Sequence, residues 1–98
     1  MGIDWIAHNP EEEQTDSNQV TTVFRGEALN DTALPEAILT EIYVDKSPMQ
    51  MDAFADRLLN ELEQHENTYT KYDKEIIENA VEWLRYWSEN ECYLKVWQ

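Results

Sequence analysis

The sequence predicts an α+β fold, with about three helices packed on a small antiparallel sheet of two or three strands. Apolar residues recur at helical spacing in three separate segments, and other segments alternate or are β-branched in the manner of strands. A length of 98 residues suits one hydrophobic core and leaves no room for a second domain. Hydrophobic residues make up 42% of the chain, with 4 Trp, 5 Tyr and 2 Phe, enough large apolar surface to build that core. Strands split from one another by helices are common in α+β domains, hence the antiparallel expectation.

The opening Gly2-Ile3-Asp4-Trp5-Ile6-Ala7-His8 alternates large apolar residues and reads as a short strand or, equally, an ordered arm. From Asn9 to Gln19 no apolar side chain is present to hold the chain against a core, which predicts a solvated, flexible acidic loop. Val20-Thr21-Thr22-Val23-Phe24-Arg25 is rich in β-branched and aromatic residues and reads as a strand, with Gly26 able to accommodate a bulge or turn after it. Pro35 can take the first position of a helix, and Ile38, Leu39 and Ile42 then recur at helical spacing, giving a short helix over about 35–44.

Ser47-Pro48-Met49-Gln50 offers an N-cap serine, a proline preset for the first turn and a Gln able to reach back to the cap. A second helix therefore starts near 48 and runs to about 65. It places Met51, Phe54, Ala55, Leu58 and Leu62 on one face and Asp52, Asp56 and Glu63 on an adjoining flank. Thr70 and Asp73 have the capping-box spacing, and a third helix follows over about 71–89. Ile76, Ala80, Leu84 and Trp87 gather on one side of it with Ile77 and Trp83 at the margins, opposite Glu75, Glu78, Glu82 and Glu89. Cys92-Tyr93-Leu94-Lys95-Val96-Trp97 alternates with period two and reads as a C-terminal strand, with Cys92, Leu94 and Val96 on one face and Trp97 exposed on the other.

The charge excludes some functions. Twenty-one acidic against 7 basic residues give a net charge of -14, which disfavours direct binding to a phosphate backbone. No apolar run approaches the roughly 18 residues that span a bilayer, and Met1-Gly2-Ile3-Asp4-Trp5 lacks a secretion pattern, so the expectation is a cytoplasmic chain without a membrane partner. The single cysteine excludes an internal disulfide and fits a reducing compartment.

Catalytic chemistry needs a nucleophile beside a base, a metal cage or a phosphate cradle. The sequence has no glycine-rich loop, and Cys92 reads as a buried, inert thiol. Glu61 and His65 stand four apart as half of a metal site without visible further ligands, and His65 reads more simply as a cation for the last carbonyls of its helix. Glu11-Glu12-Glu13 with Asp16 lacks the alternating acids and central glycine of an EF-hand. The chain therefore reads as a non-enzyme without metal or cofactor.

The acidity is the feature farthest from an average domain. Spread over the about 5,800 Å² expected of this mass, it amounts to about one charge per 400 Å², against about one per 100 Å² on duplex DNA, so only clustering can imitate a polyanion. Clustering is present: Glu75, Glu78, Glu82 and Glu89 lie in one stripe about 21 Å long, interrupted by Arg85, with Asp52, Asp56 and Glu63 available to raise its density if the two helix flanks adjoin. A merely soluble face mixes lysine with glutamate, because like charges four apart, such as Glu78 and Glu82, destabilise a helix by a few tenths of a kcal/mol.

In size and charge alone the chain resembles phage anti-defence proteins, including anti-CRISPRs and other DNA mimics, and immunity proteins that neutralise nuclease toxins. That resemblance implies a stoichiometric inhibitor whose partner is a basic protein: a nuclease, a toxin or a CRISPR-type effector. The expected contacts are Glu75, Glu78, Glu82, Glu89, Asp52, Asp56 and Glu63, with Trp97 as aromatic anchor. The competing reading is a non-catalytic adaptor or assembly subunit that binds through an edge strand, 20–25 or 94–97, and exposed aromatics. The oligomeric state is not readable from the residues.

Overall fold

The computed structural model describes residues 2–9 and 22–98. The expected acidic loop beyond Asn9, and the first two residues of the expected strand 20–25, lie outside the described residues. The architecture is α+β, with three helices packed on a three-stranded antiparallel sheet. The strands are β1 (Asp4–His8), β2 (Val23–Phe24) and β3 (Tyr93–Trp97), in the order β2-β1-β3.

The opening segment is thus the central strand and not an arm. Its alternation makes it so: Trp5 and Ala7 point into the core, where Trp5 is fully buried. Trp5 stands opposite Phe24 on one side and Val96 on the other. Its ring packs at 5.2 Å from Phe24, 6.3 Å from Phe54 and 5.8 Å from Trp83. A buried indole N–H needs an acceptor, and this one donates to the Ile42 carbonyl at 2.9 Å.

The expected strand 20–25 is shorter where it can be described. It ends at Phe24, because Gly26 opens a 3-10 helix over Gly26–Asp31 that the sequence reading did not foresee. Gly26 is required there by close approach: a Cβ would sit 2.9 Å from the Trp5 Nε1. The first helix, α1 (Glu36–Leu39), continues as a 3-10 turn over Thr40–Tyr43, with Pro35 one place earlier than expected, at the cap.

The second helix, α2 (Pro48–Gln64), starts as its cap dictates. Gln50 N–H donates to Ser47 Oγ at 3.2 Å, and Gln50 Oε1 accepts from Ser47 N–H at 2.9 Å, a complete capping box. Its buried residues are Met51, Phe54, Ala55, Leu58 and Leu62, the expected face. The third helix, α3 (Lys71–Glu89), has only half of its expected box: Thr70 Oγ1 accepts from Asp73 N–H at 3.0 Å, but the buried Asp73 carboxylate accepts from the Ala33 amide at 3.3 Å. The core face of α3 is also rotated from expectation. Ile77 is fully buried, Val81, Trp83 and Trp87 are buried with Ala80 and Leu84, and Ile76 is only partly buried.

Cys92 is buried, one residue ahead of β3. The outer edge of β3 is closed by the turn at 44–47. Lys46 and Leu94 exchange backbone hydrogen bonds at 3.0 and 2.8 Å, and Asp45 Oδ1 accepts from Val96 N–H at 2.8 Å. Lys46 holds the turn from inside, an unforeseen role for a lysine: its side chain is buried and its amine donates to the carbonyls of Glu41 and Val44 and lies 4.7 Å above the Phe54 ring. Burial lowers its pKa to about 8, against the raising effect of Glu41 and Asp45.

Candidate carboxylate interface

Helices α2 and α3 lie side by side and antiparallel, since Ser88 near the end of α3 donates through its hydroxyl to the Pro48 carbonyl at the start of α2, at 2.8 Å. On α3 the buried residues Ile77, Ala80 and Leu84 define the inward direction. At about 100° per residue, Glu75, Glu78, Glu82 and Glu89 occupy the sector turned away from it, and all four are exposed. Among the described residues none of these four carboxylates forms an ion pair.

The flanks of α2 and α3 adjoin, and Arg85 is the joint. Its guanidinium reaches Asp52 Oδ1 at 3.1 Å through Nη1 and Asp56 Oδ1 through Nη2. Glu63 follows on the same flank of α2, exposed. Seven carboxylates therefore share a two-helix face. Less the charges of Arg85, Lys71 and Lys74, which α3 places along the same face, they amount to about one per 5 Å over the about 21 Å of the α3 row, sparser than the 3.4 Å per phosphate of one nucleic-acid strand. Two further cations share the face: Lys71, exposed, falls in the same sector one turn before Glu75, so the stripe opens on a lysine, and Lys74 stands three turns before Arg85 on the same side of the helix.

Trp97 does not join this face. It is 61% exposed, as expected, but stands on the outer face of the sheet, whose inner face packs on the helices. The aromatic residues beside the glutamate row are instead Tyr72, three positions before Glu75 and 69% exposed, and the partly buried Tyr86, four after Glu82 and three before Glu89. The helical spacing of Tyr72 to the row is legible in the sequence.

The other groups weighed for chemistry have structural partners. Glu61 and His65 do share a helix face, with Nε2 4.0 Å from Oε2, but the same oxygen accepts the Tyr69 hydroxyl at 2.7 Å. Burial raises the Tyr69 pKa above its ordinary value, and the hydrogen bond to the Glu61 carboxylate adds to the effect. Among the described residues no three His, Cys, Asp or Glu side chains converge as a metal site would require, and no helix is long and apolar enough to cross a membrane. No protein-family model, curated protein or solved structure matches the chain.

Proposed function

We propose that this protein is a non-catalytic, stoichiometric binding protein that lays its α2–α3 carboxylate face on the basic surface of a nucleic-acid-processing enzyme or toxin and blocks access of the substrate. The observation that carries this reading is that the flanks of α2 and α3 adjoin, as the Arg85 pairs with Asp52 and Asp56 show, so that the carboxylates of two helices stand on one surface. Long-range attraction speeds encounter, and carboxylate pairs with arginine or lysine of the partner set the register. Glu75, Glu78, Glu82 and Glu89 supply the outer row and Asp52, Asp56 and Glu63 the inner one, with Tyr72 beside them as an exposed ring.

Affinity capture from cell lysate at low and tenfold higher salt tests the proposal. The expected result is a basic partner retained at low salt, lost at high salt, and lost at both from the Glu78→Lys/Glu82→Lys double variant. Retention that ignores both salt and the double variant refutes it. The adaptor reading loses one of its two edges to geometry, because the outward amides of Leu94 and Val96 are already bonded to Lys46 and Asp45.

A further inference from the structure

We propose that the open face of the sheet is the contact surface of a weak homodimer, its occupant being a second copy of this chain. The solvated face of an antiparallel sheet is ordinarily polar. Here the register sets Val23, Ile6 and Lys95 in one row, Trp97 beside Asp4, and Tyr93 beside His8 with ring centroids 6.2 Å apart. Val23 is 48%, Tyr93 43% and Trp97 61% exposed, and Ile6 between them is partly exposed. Arg25 continues β2 in extended backbone and is exposed on the same side as Val23.

Charge selects the occupant. Setting aside the four acids at 11, 12, 13 and 16, the described chain carries 17 acidic against 7 basic residues, whereas among the described residues this face carries Asp4 against Arg25 and Lys95. Two molecules of net charge -14 that meet here bring one described acid each, Asp4, against two cations each. A contact about a two-fold axis joins a patch to itself, so the patch must hold its own complement. This one holds an acid, two cations and aromatic rings on which cations can stack. At the β3 side the contact cannot run edge to edge, because that edge is closed by Asp45 and Lys46. Two five-residue strands and the two residues of β2 cover a flat footprint of less than about 17 by 14 Å, far below a standard interface, so the dimer is weak. The proposal is independent of the carboxylate face, which lies on the other side of the helices and stays free in such a dimer.

Sedimentation equilibrium between ~10 µM and ~1 mM tests it. The expected result is a monomer–dimer equilibrium whose dissociation constant falls at least ~3-fold between ~0.05 and ~0.5 M NaCl, since salt screens the repulsion of the acidic bodies and the contact itself holds few charges. Trp97→Glu, and separately Lys95→Glu, both at exposed positions, raise that constant at least ~10-fold with an unchanged circular dichroism spectrum. Glu78→Lys/Glu82→Lys leaves the dimer in place, which separates this surface from the partner-binding one. A monomer throughout, a dimer dissociated by salt, or a dimer indifferent to both sheet-face variants overturns the proposal. A monomer whose tryptophan fluorescence is quenched by oligothymidylate also overturns it, and assigns the face to single-stranded nucleic acid.

Discussion

At the scale of single residues, Arg85 and Lys46 spend their charges inside the molecule. Arg85 binds Asp52 and Asp56, but all three side chains are at least a third exposed, so the pairs contribute little to stability. Arg85→Gln should therefore change the unfolding free energy by less than about 1 kcal/mol while removing a cation from the middle of the carboxylate face. Affinity for the partner at low salt should rise about 2- to 5-fold, a change that titration calorimetry resolves; an unchanged or weaker affinity contradicts the role given to that face. Lys46 has a folded pKa of about 8 against an ordinary 10.5, so above pH 8 the unfolded chain binds more protons than the folded one and stability rises with pH. Tyr69 acts in the opposite sense, since its raised pKa makes the folded state lose stability above about pH 10. Between pH 8 and 10 the stability of the parent protein should thus gain on that of Lys46→Met, as urea unfolding at each pH will show. Parallel pH profiles contradict the assignment. Gly26→Ala should destabilise by about 1–3 kcal/mol, because the added methyl meets the fully buried Trp5.

At the scale of elements, what was legible in the sequence was local and what was not was carried by long-range contacts. Helix α2 begins where Ser47, Pro48 and Gln50 say it must, because every bond of its capping box lies within four residues. The Asp73 cap fails for the opposite reason: its carboxylate is drawn away by the Ala33 amide, forty positions earlier in the chain. The burial order of Ile76 and Ile77 could not be read either, since adjacent isoleucines fit the same periodic pattern and only tertiary packing, which buries Ile77 fully, separates them. Strand β2 was overextended because the β-branched run says nothing of the 3-10 helix that Gly26 starts beneath Trp5. Of the candidate site, the glutamate row of α3 was legible from helical spacing alone. The Arg85 joint to α2, the burial of Lys46 and the separation of Trp97 from the row all required the tertiary structure.

At the scale of the whole molecule, a net charge of -14 on 98 residues is a repulsion the core must overcome. Screening should relieve it, and melting temperature should rise by about 4–8 °C for each kcal/mol of self-repulsion removed between low and ~0.5 M salt. Scanning calorimetry at the two salts checks this, and a flat response indicates that the acids are too dispersed to repel. The same charge, concentrated on α2 and α3, is the basis of the proposed grip on a positively charged macromolecule. The most direct measurement is the dissociation constant of the isolated partner for the parent protein and for Glu78→Lys/Glu82→Lys, each at two salts tenfold apart. The account predicts at least about tenfold weaker binding by the parent at the higher salt and by the double variant at the lower one. Constants that move in neither comparison contradict it.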